Sequence, residues 1–217
     1  KKNKITHLKG KGLISTEDTV TVMGASGKKI SYKAKNIVIA TGSVPTSLPG
    51  IKIDEKKIVS STGALSFKKV PKELIVIGGG YIGLELSCVW KRLGSKVTVI
   101  EFSDHIIPGM DSDISNDFKK ILEKQGINFK LNSKVTSTTT VQNKVVVDFT
   151  NNKTASRERI ETDKVLVAVG RKANIENNIV ELGIQLDEHK KIQVNENFET
   201  SIKNIYAIGD VINMGPM

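Results

Sequence analysis

The chain has a single cysteine, Cys88, and so it cannot form a disulfide within itself. One thiol in 217 residues favours a reducing compartment. Cys88 lies in a stretch with helical periodicity, and it is interpreted as a small helix residue rather than a nucleophile. The longest apolar runs are far shorter than the roughly 18 residues of a membrane span, and no signal-peptide or transit-peptide pattern occurs, so no membrane partner is expected.

Aromatic residues are also scarce, at 5%, and this bears on the strong positive charge. The 33 Lys and Arg residues exceed the 23 Asp and Glu residues by 10, but they are spread along the chain. Recognition-helix and RNA-motif patterns are missing, so the charge is read as a lysine-rich surface and no nucleic acid partner is expected. His7, His105 and His189 are scattered without ligand-like spacing, and no metal site is predicted.

Three glycines organise the middle of the sequence. Residues 74–77 form a short apolar run typical of a buried strand, and Gly78, Gly80 and Gly83 follow it. An amphipathic pattern begins at once, with Ile82, Leu86, Val89, Trp90 and Leu93 at helical spacing. Strand, glycines and helix in this order are the context of a dinucleotide-binding turn, in which the helix N-terminus faces a pyrophosphate.

A second apolar strand, residues 96–100, ends at Glu101, 23 positions after Gly78. An acid about 20 residues after the glycine turn accepts hydrogen bonds from the adenosine ribose and repels a 2′-phosphate. Residues 102–105 supply no Lys or Arg. The pattern therefore predicts NAD rather than NADP.

The remaining elements follow from local patterns. We expect a turn at residues 10–12 and a hairpin turn at 25–28. A helix starting near Asp111 has apolar positions at Ile114, Phe118, Ile121 and Leu122. Residues 127–131 predict a third parallel strand, and residues 135–169 an antiparallel meander followed by a return to the parallel sheet. Residues 200–210 predict a buried strand ending in Gly-Asp.

Two apolar strands ending in glycine, residues 37–42 and 165–170, suggest two related domains. The second strand closes the domain that contains Gly78, and the first closes a domain whose own glycine turn is not in the sequence. The chain starts at Lys1 without Met, and we expect a piece of a longer protein. The expected division is residues 1–66, residues 67–172 and residues 173–217.

With these motifs in place, the chain resembles the flavoprotein disulfide reductases, and among them the dihydrolipoamide dehydrogenase family. The resemblance covers essentially the whole chain. Its general motifs are residues 40–42, 78–83, 169–171 and 206–210, and its more specific stretches are residues 58–65, 80–86 and 123–131. It implies an α/β, Rossmann-like FAD/NAD(P)-binding fold of three layers: parallel sheet, helices and antiparallel meander. Residues 67–172 would be the NAD-binding domain, flanked by two parts of an FAD-binding domain.

The resemblance also implies the roles of individual residues. The NAD-binding residues would be Gly78, Gly79, Gly80, Tyr81, Ile82, Gly83, Glu85, Glu101, Val135 and Gly170. Among these, Glu85 would lie near the nicotinamide, Glu101 at the adenosine ribose, and Val135 beside the adenine. The FAD contacts would be Gly12, Thr41, Gly42, Ser43, Asp210 and Met217. Plain structural roles remain open for Glu85 as a first-turn acid, Val135 as core and Asp210 as a cap.

The family passes two electrons from dihydrolipoamide to a protein disulfide, then to FAD and NAD. The cysteine pair and the catalytic histidine are not in this sequence, so no catalytic residue is assigned and the chain alone is expected to be inactive. The resemblance implies lipoyl domains of 2-oxoacid dehydrogenase complexes as partners, a homodimeric parent, and a cytoplasmic or mitochondrial matrix location. Another disulfide reductase, of mercuric or glutathione type, and a non-catalytic nucleotide-binding module remain as alternatives.

Overall fold

The computed structural model describes residues 3–214, apart from the side chain of Asn177. In chain order, the strands are β1 Lys11–Thr16, β2 Thr19–Met23, β3 Lys29–Lys33, β4 Ile37–Ile39, β5 Ser43–Pro45, β6 Ile58–Val59, β7 Glu73–Ile77, β8 Lys96–Ile100, β9 Asn128–Lys130, β10 Ser133–Val141, β11 Lys144–Asn151, β12 Arg157–Thr162, β13 Lys164–Val167, β14 Arg171–Ala173 and β15 Ile205–Ala207. The helices are α1 Ser61–Ala64, α2 Tyr81–Arg92, α3 Ser112–Lys124 and α4 Asn177–Glu181.

The chain divides into two compact units: unit 1 is Lys1–Val44 with Arg171–Met217, and unit 2 is Pro45–Gly170. Residues 45–66, which the sequence placed with the first segment, group with unit 2 because β6 adds a strand to its sheet beside β13. The assignment of the segments to NAD-binding and FAD-binding domains stays a prediction.

Unit 2 is built around a five-stranded parallel sheet in the order β6-β13-β7-β8-β9. Both of its faces are covered, as alternate residues of β7 show. Leu74 and Val76 pack with α2 and α3 in one core, whereas Ile75 and Ile77 pack with the strands of the meander in another. A parallel strand buried on both faces needs a continuous apolar run, which explains the unbroken hydrophobic sequence of β7.

The meander of β10, β11 and β12 covers the second face through Val145, Val147 and Phe149. These residues alternate along β11 and are at most 1% exposed. The parallel sheet, the helices on one face and the meander on the other confirm the predicted fold class.

Helix α3 begins where its sequence predicts, because Asp111 caps it by accepting hydrogen bonds from the backbone N–H groups of Asp113 and Ile114. Its predicted apolar face is wrong in part, since Ile114 and Ile121 are 54% and 51% exposed. Ser115 and Leu122 are the residues that are buried. Each exposed isoleucine precedes a buried residue by one position, which turns it about 100° away from the core.

Unit 1 contains the antiparallel sheet β1-β2-β3 and the parallel pair β15-β4. The hairpin turn at residues 25–28 is confirmed between β2 and β3. The turn expected at residues 10–12 is wrong, because Gly12 lies within β1 and pairs with Val22. The strand expected over residues 200–210 is confined to β15, since residues 201–204 form bends and turns before it.

Replacing Phe149 with Ala tests the apolar packing between the meander and the parallel sheet. We expect Phe149→Ala to lower the free energy of unfolding by about 3–5 kcal/mol, because it empties a fully buried site. Urea denaturation followed by the fluorescence of Trp90, the single tryptophan, measures this change. The exposed Val141→Ala on β10 is the control and should stay within about 0.5 kcal/mol of the parent. Equal effects of the two substitutions would contradict the assigned packing.

Candidate functional site

The glycine turn between β7 and α2 has the geometry that the sequence predicts. Gly78 has a φ of +108°, and a Cβ there would lie 2.4 Å from the carbonyl oxygen of Ala168. A Cβ on Gly83 would lie 2.2 Å from the carbonyl oxygen of Gly78. Neither position tolerates a side chain without moving backbone, so the start of α2 is held against the ends of β7 and β13.

Gly80 differs from the other two glycines, because a Cβ there would meet nothing within 4 Å. It is the N-cap residue of α2, and within the described residues no side chain caps the helix at this position. Space beside the N-cap is therefore open, and the described residues supply no side-chain cap for the backbone N–H groups of the first turn. Such groups, together with the helix dipole, attract phosphate.

Glu101 follows β8 and is 8% exposed. Its carboxylate accepts hydrogen bonds from the backbone N–H groups of Gly79 at 2.5 Å and Ser103 at 2.8 Å. Both donors are backbone, and among residues 3–214 the acid has no salt bridge to a basic side chain. Glu101 thus joins the end of β8 to the glycine turn.

The segment after Glu101 holds the other side of the turn. The backbone N–H of Ile107 donates to the carbonyl oxygen of Gly79 at 2.8 Å. Ile107 has a φ of +43°, which is unusual for a β-branched residue and costs of order 1–3 kcal/mol. The surrounding packing, in which Ile107 is 5% exposed, sustains this conformation.

These elements surround a cavity of about 760 Å³. It lies at the carboxyl ends of β7, β8 and β13, beside the start of β10. Because the sheet order reverses between β13 and β7, this edge is the usual position of a ligand in an open α/β sheet. The lining residues are Leu48, Pro49, Ile77, Gly78, Gly80, Tyr81, Ile100, Glu101, Phe102, Pro108, Ser133, Lys134, Val135, Thr136, Ala168, Val169 and Gly170.

The structure brings six of the predicted NAD-binding residues to this cavity: Gly78, Gly80, Tyr81, Glu101, Val135 and Gly170. Gly79, Ile82, Gly83 and Glu85 do not line it. Gly79 packs closely against Glu101, and Gly83 packs closely against Gly78. Glu85 is exposed on α2. The binding roles themselves stay predictions.

Sequence reasoning missed several lining residues, among them Phe102, Pro108 and Lys134. Phe102 and Pro108 had a signal, since they follow the predicted ribose acid closely. Lys134 also had a signal, since it directly precedes Val135, which the resemblance placed beside the adenine.

Five of the predicted FAD contacts lie in the described part of unit 1. The Ser43 hydroxyl donates to the Asp210 carboxylate at 2.7 Å, and the Arg171 guanidinium donates to the Ser43 hydroxyl at 2.6 Å. The Thr41 hydroxyl donates to the carbonyl oxygen of Asn174 at 2.7 Å, and Gly42 has a φ of +67°.

Gly12 and Thr41 line a small cavity of about 170 Å³ beside β4. Met217 lies outside the described residues. The FAD-binding roles of all six residues stay predictions.

A family model described as pyridine nucleotide-disulphide oxidoreductase matches residues 1–217. The chain therefore belongs to this family, as its resemblance to the flavoprotein disulfide reductases predicted. Membership implies the use of FAD and a pyridine nucleotide. The turn at Gly78, the open space over Gly80 and the 760 Å³ cavity fit the nucleotide.

Within this family, the similar curated proteins include dihydrolipoyl dehydrogenases. The chain is 50% identical over 220 residues to the mitochondrial dihydrolipoyl dehydrogenase of Bos taurus, covering 100% of this chain and 43% of that protein. It is 47% identical over 217 residues to the leghemoglobin reductase of Glycine max, covering 100% of this chain and 41% of that protein. The predicted resemblance is confirmed, and the chain spans less than half the length of these relatives.

Solved structures also resemble this chain over most of its length. The Cu(II) complex of the flavoprotein disulfide reductase RclA from Escherichia coli matches with a TM-score of 0.85 and 28% identity, covering 96% of this chain and 46% of that one. LpdA from Mycobacterium tuberculosis matches with a TM-score of 0.83 and 27% identity, again covering 96% and 46%. Among the described residues, none of the helices has the length and hydrophobicity that a bilayer crossing requires.

Substitutions at Gly83 and Gly80 distinguish a glycine that the packing of α2 requires from a glycine that has free space around it. We expect Gly83→Ala to lower the free energy of unfolding by about 1–3 kcal/mol, because the added methyl group meets the Gly78 carbonyl oxygen. Gly80→Ser should leave stability unchanged or higher, since serine is a favourable N-cap residue and has space here. Thermal and urea denaturation measure both. A stable Gly83→Ala variant would contradict the close approach of α2 to β7.

The reactivity of Cys88 tests its interpretation as a helix residue. Burial raises the pKa of the Cys88 thiol. The positive charge of Arg92 lowers this pKa in part, and Glu85, with the smallest of the three effects, raises it. Because the thiolate is the reactive form, Cys88 should react with a chromogenic disulfide reagent more slowly at pH 8 in the folded chain than in urea. A faster reaction in the folded chain would show an activated thiol and overturn this interpretation.

Proposed function

We propose that the cavity of unit 2 binds NAD(H). The observation that carries this proposal is the position of Glu101: its buried carboxylate lies beside the glycine turn, at the edge of a cavity bounded by the first turn of α2. An acid and a helix N-terminus together suit a ligand that has both ribose hydroxyls and phosphates.

The hydrogen-bonding capacity of Glu101 supports this proposal. An ionised carboxylate has about four acceptor positions. Two of them are used by the backbone N–H groups of Gly79 and Ser103. The remaining positions can accept hydrogen bonds from the two hydroxyls of an adenosine ribose, whereas a 2′-phosphate would place negative charge against a buried carboxylate. The proposed ligand is therefore NAD rather than NADP.

The other lining residues give the ligand a direction. Its pyrophosphate would lie over Gly80, its adenine beside Val135, and its nicotinamide towards Tyr81 and Gly170. Glu85 is kept as a predicted residue of the nicotinamide end, although it does not line the cavity here. When bound, NAD supplies a hydride acceptor on its nicotinamide ring. The residues of this chain bind and orient that ring and enclose it.

We propose further that the whole protein is a dihydrolipoyl dehydrogenase, as the names of its similar relatives support. In this reaction dihydrolipoamide is oxidised to lipoamide, two electrons and one proton reach NAD as hydride, and the second proton is released. The redox cysteines are not among these residues, because Cys88 is the single cysteine. The chain alone should therefore not oxidise dihydrolipoamide.

The finer assignments belong to the same proposal. Residues 67–172 would be the NAD-binding domain, and residues 1–66 and 173–217 would contribute to an FAD-binding domain through Asp210 and Ser43. Lipoyl domains of 2-oxoacid dehydrogenase complexes would be partners of a homodimeric protein. Its location would be the mitochondrial matrix or the cytoplasm.

Calorimetric titration of the 217-residue chain tests the nucleotide site. We expect NADH to bind with a dissociation constant in the micromolar to submillimolar range and NADPH to bind at least about tenfold more weakly, which corresponds to roughly 1.4 kcal/mol. Glu101→Ala should weaken NADH binding by a similar factor, because it removes the acceptors for both ribose hydroxyls.

The matched control is Glu161→Ala, which removes an exposed acid of β12 outside the cavity and should leave NADH binding unchanged. A cooperative thermal transition of each variant shows that it is folded. If the folded parent bound neither nucleotide, or if Glu161→Ala and Glu101→Ala had equal effects, the proposed site would be wrong.

A further inference from the structure

Lys134 is a charged residue that lines the cavity and belongs to a different element from Glu101. It lies on β10, whose start is tied to the end of β8 by a hydrogen bond from the backbone N–H of Ser133 to the carbonyl oxygen of Glu101 at 2.8 Å. Lys134 follows directly and lines the same cavity as Glu101. This hydrogen bond thus places Lys134 in the part of the cavity wall next to the acid.

Among the described residues that line the cavity, Glu101 and Lys134 are the two with ionisable acidic or basic side chains of opposite sign. They differ in environment: Glu101 is buried and held by backbone donors, whereas Lys134 is exposed. Lys130, on the preceding strand, is paired with Glu158 at 2.7 Å, but among residues 3–214 no carboxylate oxygen lies within 4.0 Å of the Lys134 ammonium group. The Lys134 side chain is therefore available to an anionic ligand.

We propose that Lys134 is a specificity-determining residue for the presence of a 2′-phosphate on the adenosine ribose. Lys134 would attract the 2′-phosphate that Glu101 repels. This inference rests on the proposed function. A lysine ammonium group on its flexible stem binds phosphate as a point charge, and charge-assisted hydrogen bonds of this kind are among the strong ones. Glu101 by itself then excludes NADP, because Lys134 acts in the opposite direction and favours NADP binding. The absence of basic residues after Glu101 does not set the selectivity.

The experiment measures the dissociation constants of NADH and NADPH for four chains: the parent, Glu101→Gln, Lys134→Ala and the double variant. Glutamine keeps the size and an acceptor oxygen of Glu101 but removes its charge. We expect Glu101→Gln to narrow the preference for NADH over NADPH at least about tenfold. Adding Lys134→Ala to this variant should then weaken NADPH binding about 5–10-fold and NADH binding less than about twofold.

Two further variants separate the local charge from the general one. Lys134→Arg in the Glu101→Gln background should keep NADPH binding, because it keeps the positive charge. Lys69→Ala removes an exposed lysine of unit 2 outside the cavity and should change neither nucleotide. The pair 2′,5′-ADP and 5′-AMP, which differ by the 2′-phosphate, should show the same dependence on Lys134.

The outcomes distinguish this inference from the proposed function. If the parent binds NADH, but adding Lys134→Ala to Glu101→Gln weakens the binding of both nucleotides equally or of neither, the inference is wrong and the NAD site stands. If Lys69→Ala reproduces the effect of Lys134→Ala on NADPH, a general charge effect is responsible and the inference is again wrong. If the folded parent binds neither nucleotide, the proposed function is wrong, and the inference is overturned with it.

Discussion

The close approach of helix α2 to the end of strand β7 is the constraint on which the site depends. Gly83 lies so near the carbonyl oxygen of Gly78 that a single methyl group would collide with it, and Gly78 lies equally near the backbone of Ala168. Because these contacts are backbone contacts, the first turn of α2 is fixed at the carboxyl edge of the sheet. Glu101 can then hydrogen bond to Gly79, and the ends of three strands enclose one cavity.

The charges of this cavity come from two elements with different roles. The acid belongs to the turn itself, since its two backbone donors also shape the loop after β8. The lysine belongs to the meander, whose contact with the sheet is apolar and whose edge reaches the cavity with Lys134. A change in one element can alter the charge balance without disturbing the other. With Lys134 in its proposed role, cofactor preference would depend on the layer that covers the sheet as well as on the turn.

Much of unit 2 could be predicted from the sequence, because its strands are continuous apolar runs and its turn residues are glycines with required conformations. Gly78 and Gly83 are the clearest cases. Local patterns failed where neighbours decide. Gly12 lies in a strand because β2 pairs with it, and Ile114 and Ile121 are exposed because the buried line of α3 runs through Ser115 and Leu122. Lys134 was missed although it precedes the predicted Val135, because no local pattern shows that the start of β10 is hydrogen-bonded to Glu101.

The central claim is that the cavity at the ends of β7, β8 and β13 holds NAD(H) with its adenosine ribose at Glu101. A crystal structure of the chain grown with NADH tests this most directly. We expect the pyrophosphate over Gly80 at the first turn of α2, ribose hydroxyls within hydrogen-bond distance of the Glu101 carboxylate, and the adenine beside Val135. A nucleotide bound elsewhere, or bound here with its adenosine end away from Glu101, would contradict this claim.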